Sequence, residues 1–356
     1  SDWKKAYSGK RVFVTGHTGF KGSWLCQWLI HLGAEVKGYA LAPPTSPALF
    51  DALNLTEQLI DFRGDIRNPE VLERELVAFE PHLVFHLAAQ PLVRYSYKAP
   101  VETYDTNVMG TIYLLEALRK LKSPCAAIMV TSDKCYENRE WFFGYRENDP
   151  MGGADPYSSS KGMAELAIAA YRKSFFAESP VRIASVRAGN VIGGGDWALD
   201  RIIPDCIRAC QNSSPIDVRN PLATRPWQHV LDPLSGYLQL AHRLLNCPSS
   251  GSERATLEDG FNFGPNNDSN RTVKDVVCEL LKHITGSWQD RSDPNAPHEA
   301  RFLHLSTDKA QKVLNWQPTW NFADTVRHTA EWYQTFLTDG DTRSLTQTQI
   351  QAFEDK

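Results

Sequence analysis

Short apolar runs alternate with helical patterns through the first half of the chain. Six stretches, at residues 11–15, 35–40, 59–62, 83–89, 126–130 and 181–186, have the length of strands in a sheet, and the second of them is the least apolar and the third is the shortest. Between them, residues 23–30, 107–121 and 157–170 place apolar side chains three and four positions apart, as on one face of a helix. Strands that alternate with helices predict an α/β fold with a Rossmann-like, doubly wound parallel sheet.

The alternation of strands and helices stops after Arg187. Four glycines between positions 189 and 195 predict a flexible stretch, and the residues beyond it predict helices near 202–211, 234–245, 273–284 and 322–336 and a strand near 216–219. The polar residues from about Thr338 are expected to fray. We therefore predict a Rossmann domain at 1–188, with returning segments near 226–263, and a smaller mixed α/β domain at 189–225 and 264–340.

A glycine-rich loop follows the first predicted strand and precedes the first predicted helix. Gly16, Gly19 and Gly22 are spaced three apart in it. In such a loop the first glycine permits a tight turn, the second lets the backbone approach a pyrophosphate, and the third lets the helix pack closely on the sheet. The helix N-terminus adds free N–H groups and partial positive charge. This context predicts a dinucleotide site, and a plain strand–helix turn is the alternative.

The ends of the second and third predicted strands bear on the choice of dinucleotide. Residues 40–44 offer no Asp for an adenosine ribose and no Arg or Lys for a 2′-phosphate. NAD is therefore favoured over NADP only by the missing positive charge. After the third strand, Asp65 could accept a hydrogen bond from an adenine amino group, or it could cap the helix that begins near Pro69.

The candidate catalytic residues lie in two stretches. Ser132, Asp133 and Lys134 follow the fifth apolar run, at the carboxyl edge where ligands bind in open α/β sheets. Tyr157 and Lys161 are four apart and share a helix face. A nearby ammonium favours phenolate, which would make the tyrosine a base for a sugar hydroxyl. The alternative is an ordinary surface pair, and the glycine loop in the same chain favours the catalytic interpretation.

Composition and charge exclude several functions. A net charge of -4 argues against a general binder of nucleic acid or anionic membranes, and no apolar run approaches the length of a membrane span. The seven cysteines are scattered, which indicates free thiols in a reducing compartment. Cys206 and Cys210 have no histidine pair at metal-ligand spacing, so we expect buried thiols and no metal site. Residues 1–10 lack a signal-peptide core, and we expect a cytoplasmic protein.

These motifs resemble those of the extended short-chain dehydrogenase/reductase superfamily, in its nucleotide-sugar-modifying branch. The matching positions cover both halves of the chain: Thr15, Gly16, Gly19, Phe20, Gly22, Gly64, Asp65, Ile66, His86, Leu87, Ala88, Ala89, Asn107, Ser132, Tyr157, Lys161, Arg187, Gly189, Asn190, Val191, Arg225, Pro226, Trp227, His229, Val230, Asn262, Phe263 and Gly264. Within the branch, the stretches 43–50, 132–136 and 225–230 are most similar to those of the 4,6-dehydratases that act on CDP-glucose. Lys134 stands where the dTDP-glucose and GDP-mannose dehydratases usually carry Glu.

The resemblance implies a tightly bound NAD, regenerated in each turnover, and a CDP-glucose substrate. The residues expected to bind NAD are Gly16, Thr18, Gly19, Phe20, Gly22, Asp65, Ile66, Leu87, Ala88, Ala89, Asn107, Tyr157 and Lys161. Those expected near the substrate are Arg94, Asn190, Trp197, Ile203, Arg225 and Arg301. Arg225 and Arg301 match arginines that grip the pyrophosphate, whereas Arg94 is either a substrate contact or a solvated arginine.

The resemblance also implies a reaction in three stages. Tyr157 takes the proton from the glucose 4-hydroxyl as hydride leaves C4, and Ser132 hydrogen-bonds the same oxygen. Asp133, kept protonated by burial, then protonates the departing 6-hydroxyl, and hydride returns to C6. Lys134 is either the base at C5, which requires a neutral amine, or a charged group that stabilises an enolate, or a structural lysine. The product would be CDP-4-dehydro-6-deoxyglucose, a deoxysugar precursor for lipopolysaccharide O-antigen.

Other functions stay open at this point. A 4,6-dehydratase or 4-epimerase of a dTDP- or GDP-hexose, or a decarboxylase, would share Tyr157 and Lys161. A catalytically inactive NAD-binding scaffold is a different class, against which the intact Ser132, Tyr157 and Lys161 argue. The resemblance further implies a homodimer in which the helices of Asn107 and Tyr157 form a four-helix bundle, with a tetramer as the alternative.

Overall fold

The computed structural model describes residues 2–292 and 303–356. The described residues form thirteen strands: β1 Arg11–Thr15, β2 Glu35–Ala40, β3 Ile60–Arg63, β4 Leu83–His86, β5 Cys125–Val130, β6 Val181–Ala188, β7 Val191–Ile192, β8 Ile216–Val218, β9 Thr224–Pro226, β10 Gln228–His229, β11 Gly260–Phe263, β12 Asn270–Thr272 and β13 Trp288–Asp290.

The α-helices of the described residues are α1 Asp2–Lys5, α2 Phe20–His31, α3 Leu49–Ala52, α4 Pro69–Phe79, α5 Val93–Lys98, α6 Pro100–Tyr104, α7 Gly110–Leu118, α8 Pro156–Phe175, α9 Ile202–Gln211, α10 Leu231–Asn246, α11 Ser252–Leu257, α12 Val273–Leu280, α13 Asp308–Leu314, α14 Phe322–Leu337 and α15 Thr342–Glu354. A π-helical turn, Asp105–Met109, joins α6 to α7. None of the described helices is long and apolar enough to cross a membrane.

Seven strands form one parallel sheet in the order β3-β2-β1-β4-β5-β6-β11. The predicted Rossmann-like, doubly wound sheet is therefore confirmed. Strand order reverses at β1, whose last residue, Thr15, pairs with Tyr39 of β2 on one side and His86 of β4 on the other. The crevice at this reversal, outside the carboxyl ends of the strands, is where open α/β sheets bind ligands.

Apolar layers cover both faces of the sheet. Along β1, Val12 and Val14 pack into one cluster with α2 and α10, while Phe13 packs into the other with α4 and α7. All three side chains are fully buried. Strands buried on both faces read as continuous apolar runs, which is why their positions could be predicted from the sequence.

The remaining strands form three two-stranded pairs after β6. β7 pairs with β10, β8 with β13, and β9 with β12. The helix predicted at 202–211 has those bounds, whereas α10 begins three residues before the predicted 234 and α12 ends before the predicted 284. The helix predicted to begin at Asn107 is also wrong in its start, because helical structure already begins at Pro100.

The prediction that the chain frays from about Thr338 is wrong. Residues Thr342–Glu354 form α15, which Asp341 caps by accepting a hydrogen bond from the Ser344 N–H at 2.9 Å. Ile350 and Phe353 are buried, and the Trp28 indole N–H donates to Glu354 Oε1 at 2.6 Å. Much of the buried face is polar, namely Thr342, Thr346 and Gln349, so no apolar periodicity marks this helix in the sequence.

Candidate active site

The glycine loop of β1 and α2 has the shape that close backbone packing demands. Gly16 has φ +76°, and a Cβ there would lie 2.6 Å from the Ala88 N. A Cβ on Gly22 would lie 2.1 Å from the Gly16 O, so α2 could not begin where it does with any other residue. At Gly19 the nearest neighbour of a Cβ is 3.5 Å away, which leaves this backbone open to a ligand. The loop thus fits the pyrophosphate of a dinucleotide at a helix N-terminus.

The edge of β4 beside that loop is held by buried hydrogen bonds. Thr15 Oγ1 accepts from the backbone N–H groups of Leu87 and Ala88 at 3.1 and 3.2 Å. His86 lies 2.7 Å from Thr15 Oγ1 through Nδ1 and 3.0 Å from Thr111 Oγ1 through Nε2. Burial lowers the pKa of His86 to about 3, so the ring is neutral. Leu87, Ala88 and Ala89 follow as half-buried residues at the carboxyl edge, the position predicted for a cofactor contact.

Asn107 lies inside the π-helical turn and is buried. Its Oδ1 accepts from the Gln90 N–H at 2.8 Å, and its Nδ2 donates to Gln90 O at 3.1 Å and to Ser160 Oγ at 2.9 Å. These bonds join the loop after β4 to α8. The side chain therefore positions two walls of the cleft, and this geometry does not support the direct cofactor contact expected of it.

Thr18 and Phe20 lie where the loop meets β2 and α2. The Thr18 hydroxyl donates to Leu41 O at 2.9 Å, just past the end of β2. His17, which the sequence analysis did not single out, is buried with Nε2 2.7 Å from Asp61 Oδ1. A Cβ on Gly38 would lie 2.2 Å from the His17 ring, so this glycine inside β2 was the sequence signal for an inserted side chain.

Asp65 and Ile66 lie at the end of β3. Asp65 forms an ion pair with Arg67, with 2.7 Å between Oδ2 and Nη2, and hydrogen bonding from Arg67 lowers the pKa of the carboxyl. The alternative that Asp65 caps the following helix is wrong, because Asn68 Oδ1 accepts from the Val71 N–H there. Ile66 is buried against the start of α7, where a Cβ on Gly110 would lie 2.8 Å from Ile66 Cγ2.

Ser132 and Asp133 form a buried pair at the carboxyl end of β5. Ser132 caps a 3₁₀ turn at Asp133–Cys135, and its Oγ accepts from the Lys134 N–H at 3.2 Å and lies 3.0 Å from Asp133 Oδ1. Burial raises the pKa of Asp133, although the positive charge of Lys134 acts to lower it. The direction is the one that the predicted role as an acid requires. Lys134 itself is half-buried.

Tyr157 and Lys161 lie on the first turns of α8, both buried, with Lys161 Nζ 5.8 Å from the centre of the Tyr157 ring. Asp155 caps the helix by accepting from the Ser158 N–H at 2.9 Å, and the Tyr157 N–H donates to Ser96 Oγ at 3.2 Å. We predicted that Lys161 lowers the pKa of the Tyr157 phenol. This prediction is wrong. Burial raises the pKa of Tyr157 to about 12, although a hydrogen bond with Ser132 acts to lower it. Burial also lowers the pKa of Lys161, to about 8.

A buried ion pair lies directly behind these residues. Glu165 Oε2 of α8 is 2.8 Å from Arg187 Nη2 of β6, and both side chains are less than a tenth exposed. The hydroxyls of Thr131 and Ser185 also donate to Glu165. Arg187 Nη1 donates to the Tyr136 hydroxyl at 2.7 Å. Arg187 matched a family motif in the sequence, but its partner on α8 could not be found from spacing.

Two further cations enter the cleft without having been singled out in the sequence. Lys21, on the first turn of α2, lies 3.5 Å from the Tyr237 hydroxyl, and burial together with the charges of Arg201 and Lys161 lowers its pKa to about 8. Arg201 precedes α9, and its charge acts on Tyr157. The sequence analysis could not find them, because only the tertiary fold brings them to the cleft.

A cavity continues from Asp133 into the second half of the chain. It is lined by Gly189, Pro226, Gln228, Gly264, Pro265, Asn266, Asn267, Asn270, His304 and Leu305. A Cβ on Gly189 would lie 2.9 Å from Asp133 Oδ2, so the cavity adjoins the acid. Gln228 is buried, and its Oε1 has no hydrogen-bond partner among the described residues.

The remaining residues expected near a substrate occupy different environments. Asn190 is exposed, and Arg225 is half-buried, donating to Thr224 O at 2.8 Å and acting by its charge on Asp133. Arg94 pairs at 3.0 Å with Asp200 on the surface. Arg301 lies outside the described residues.

Trp197 and Ile203 are buried in the core of the second half. The Trp197 ring centre is 5.3 Å from that of Tyr333 and 5.2 Å from that of Phe336. Ile203 belongs to the same apolar cluster. This packing gives no support to the expectation that the two side chains line a nucleotide pocket.

Thiols and acids in the described ranges form no cluster of three or more groups able to hold a metal ion. Cys206 is buried and Cys210 is partly exposed, and both are free.

Comparison with known proteins decides the family. Residues 13–329 match the model of the family described as GDP-mannose 4,6 dehydratase. The chain belongs to this family. A relative, the CDP-glucose 4,6-dehydratase of Salmonella typhimurium (strain LT2), is 50% identical over 341 residues, which are 94% of this chain and 93% of the relative. The predicted membership of the nucleotide-sugar-modifying branch is confirmed.

Solved structures share the fold of this GDP-mannose 4,6 dehydratase family member. A UDP-glucose 4-epimerase from Thermotoga maritima superposes with a TM-score of 0.77 at 21% identity, covering 92% of this chain and 99% of its own. A dTDP-glucose 4,6-dehydratase from Bacillus anthracis in complex with NAD gives a TM-score of 0.74 at 22% identity, covering 92% and 97%. Epimerases and dehydratases therefore share this architecture, and the side chains at the site must distinguish between them.

Proposed function

We propose that the protein is a CDP-glucose 4,6-dehydratase, a hydro-lyase that converts CDP-glucose into CDP-4-dehydro-6-deoxyglucose and water. The observation that carries the proposal is the buried Ser132–Asp133 pair beside Tyr157. An epimerase needs a base and a hydroxyl at this place, but it needs no acid to expel a 6-hydroxyl. The 50% identity to a named CDP-glucose 4,6-dehydratase supports the choice of nucleotide.

NAD is the cofactor in this proposal, held by the glycine loop, with Gly19 at the open point of the backbone. Thr18 and the edge formed by Leu87, Ala88 and Ala89 would flank it. When bound, NAD supplies the acceptor for the hydride of C4 and the donor that returns it to C6. The fit rests on the loop geometry, because no acidic residue follows β2 to hold the ribose.

Tyr157 is the group that removes the proton of the 4-hydroxyl. A pKa of about 12 in the protein alone means that the phenol is protonated at neutral pH. Lys161 Nζ lies 5.8 Å from the centre of the Tyr157 ring, and its charge alone does not make the phenol ionise. Formation of the phenolate therefore requires further positive charge in the cleft. Ser132, hydrogen-bonded to the phenol, would bind the same substrate oxygen and keep it within reach of the base.

Asp133 is the acid of the dehydration. Burial raises the pKa of its carboxyl, which is the direction that the role of proton donor requires. Loss of the 6-hydroxyl as water requires that proton. We assign removal of the C5 proton to Lys134, whose half-buried amine adjoins Asp133 in the same turn. Its competing role, as a charged group that stabilises the enolate, is separated from the first in a prediction below.

The nucleotide sugar would occupy the cavity that adjoins Asp133. Asn266 in the cavity lining, and Arg225 next to the lining residue Pro226, carry donors suited to phosphate oxygens. The free Oε1 of Gln228 requires a donor such as a sugar hydroxyl, because a buried amide oxygen without a partner is costly. We accordingly propose that residues 1–188 with 226–263 bind NAD and that 189–225 with 264–340 bind the nucleotide sugar.

The experiment that tests the function is incubation of the purified protein with CDP-, dTDP- and GDP-hexoses in turn. A 4-keto-6-deoxy sugar absorbs in alkali, and proton NMR shows its new C6 methyl group. We expect both signals with CDP-glucose and neither with the other nucleotides. Epimerised hexose without a ketone would assign the protein to the epimerases, and product from dTDP-glucose or GDP-mannose alone would assign it to another dehydratase.

The protein is proposed to act as a homodimer in the cytoplasm. Val101 and Leu166 are 79% and 61% exposed, and they lie on α6 and α8, which pack against each other. Two copies that paired these helices would bury them in a four-helix bundle. Light scattering of Leu166→Glu should show monomer where wild type shows dimer, and a wild-type tetramer would require a second interface.

All seven cysteines are free, as expected in a reducing compartment.

A further inference from the structure

Gln228 begins β10 and lines the cavity beside Asp133. The residue is 1% exposed, and its Oε1 has no hydrogen-bond partner among the described residues. Its Nε2 lies 3.5 Å from Phe263 O, which is beyond the usual length of a hydrogen bond. A buried amide that is held this loosely can turn to meet a hydroxyl group, and an acceptor left without a donor is costly.

An amide oxygen without a partner does not by itself make a binding site. Gln27 of α2 and Gln349 of α15 are also buried, and the Oε1 of each has no partner in the described part of the chain. Gln27 Nε2 also has a 3.5 Å contact, to Gln58 Oε1. Gln228 differs from both in its place, because it forms part of the wall of a cavity that adjoins the candidate acid.

The cavity lies at the carboxyl edge of the sheet. Gly189 follows β6 and Gly264 follows β11, and these two strands are neighbours in the sheet. A Cβ on Gly189 would lie 2.9 Å from Asp133 Oδ2 and 3.7 Å from Pro226 Cγ. Only the width of a glycine therefore separates the acid from the wall that Pro226 forms. A substrate group bound at Asp133 has its neighbouring groups in this cavity.

None of the described residues that line the cavity carries a formal charge at neutral pH. Its polar lining includes four amides, those of Gln228, Asn266, Asn267 and Asn270. Burial lowers the pKa of His304, so that its ring is neutral. Neutral amides donate and accept hydrogen bonds, as sugar hydroxyls do. The lining as a whole therefore suits the uncharged hexose of a nucleotide sugar, and a charged partner for phosphate comes from Arg225 beside it.

The proposed chemistry leaves two hexose hydroxyls free to bond this amide. The 4-hydroxyl is bound by Tyr157 and Ser132, and the 6-hydroxyl takes the proton of Asp133. C1 carries the nucleotide, and C5 carries the ring oxygen. The 2- and 3-hydroxyls alone keep a hydrogen to donate throughout the reaction.

We propose that Gln228 determines specificity for the hexose, because its Oε1 accepts a hydrogen bond from the 2- or 3-hydroxyl. The inference rests on the proposed function, since that function places the hexose beside Asp133. The bond lies away from the atoms that react, so it should stabilise the bound substrate and the transition state alike. Its loss is therefore expected in KM and in the dissociation constant, with kcat nearly unchanged.

Fluorinated substrates test the inference without changing Gln228. CDP-2-deoxy-2-fluoroglucose and CDP-3-deoxy-3-fluoroglucose keep the shape of the sugar, but each lacks the donor at one position. Binding is measured by calorimetry on the NAD-loaded Tyr157→Phe protein, so that no turnover occurs. One of the two analogues should bind about tenfold more weakly than CDP-glucose, as expected for the loss of one neutral hydrogen bond. Equal binding of all three overturns the inference.

Gln228→Met in the same protein keeps the length of the side chain but removes the amide. It should bind CDP-glucose about tenfold more weakly and should no longer distinguish it from the fluorinated analogue. Gln27→Met is the matched control, because it removes a similarly buried amide outside the cavity, and it should keep the tenfold difference. With Tyr157 present, Gln228→Met should raise KM about tenfold and leave kcat within about twofold. A fluorine effect that persists in Gln228→Met overturns the inference.

The outcomes also separate this inference from the proposed function. If wild type makes no product from CDP-glucose but the fluorine effect disappears in Gln228→Met, the proposed function fails and the hexose contact stands. If product forms but the fluorine effect is the same with and without the amide, the inference alone fails. A lost preference for CDP-glucose over UDP-glucose in Gln228→Met, with the fluorine effect kept, would assign the amide to the base and overturn the hexose contact.

Discussion

Ser132 Oγ and Asp133 Oδ1 lie 3.0 Å apart at the carboxyl end of β5, inside a 3₁₀ turn that begins where the strand ends. In the proposed mechanism the hydroxyl would connect the first two chemical steps, because it is hydrogen-bonded to both Asp133 and the Tyr157 phenol. Adjacent residues in an extended strand point to opposite faces. The 3₁₀ turn brings the side chains of Ser132 and Asp133 to the same side, as the proposed mechanism requires.

Asp133→Asn should permit oxidation at C4 but stall the loss of water. The amide cannot supply the proton that the 6-hydroxyl needs, so turnover should fall by about 10²–10⁴. Bound NADH should then accumulate, visible as absorbance at the reduced nicotinamide band within one turnover. Ser132→Ala is the matched control, since it weakens the first step and should give no such accumulation. Normal product yield in Asp133→Asn would remove the carboxyl from the mechanism.

Tyr157→Phe should abolish turnover while CDP-glucose binding stays within a few-fold of wild type. The substitution removes one oxygen and keeps the ring that packs beside Lys161. Calorimetric binding and product formation should be measured on the same preparation. Retention of a tenth or more of wild-type turnover would assign the proton to another base.

Lys134→Met and Lys134→Arg together separate the two roles of this lysine. As a base, Lys134 must be neutral at the moment of proton transfer, which an arginine cannot be. Both variants should then lose solvent deuterium at C5 of the product. If the charge stabilises an enolate instead, Lys134→Arg should keep the label and most of the rate, whereas Lys134→Met should not.

Glu165→Gln should destabilise the protein by about 3–5 kcal/mol, because it leaves Arg187 buried without its counter-charge. Glu116→Gln, in an exposed pair with Arg119, should cost no more than about 1 kcal/mol. Urea unfolding measures both. Burial alone would raise the pKa of Glu165, but Arg187 and two hydroxyl donors lower it overall. The stabilisation is therefore full above the ordinary carboxyl pKa and is lost as pH falls through the lowered value, so the two curves should converge in acid.

The parts of the site that sequence predicted are those encoded by near neighbours. The loop of Gly16, Gly19 and Gly22 and the pair Tyr157 and Lys161 depend on spacing within one or two turns, and buried strands show as apolar runs. The ionisation of Tyr157 was wrong because proximity in sequence indicates a charge but not the depth of burial. Desolvation exceeds the effect of one ammonium 5.8 Å from the ring centre.

The parts that sequence did not predict depend on contacts between distant elements. Glu165 meets Arg187 only after the sheet has assembled. Asn107 matched a family motif, but its partners Gln90 and Ser160 show that it supports the walls of the cleft. The helix α15 escaped prediction because threonine and glutamine form much of its buried face.

The contact between Trp28 and Glu354 joins the first helix of the sheet to the last helix of the chain. During synthesis on the ribosome, α2 emerges long before α15, so the outer flank of the glycine-loop helix stays uncovered until some three hundred further residues have been translated. A nascent chain that was released early would contain the whole glycine loop, but α2 would lack its contact with α15. The helix that presents the glycine loop is therefore fully packed only once α15 has docked on it.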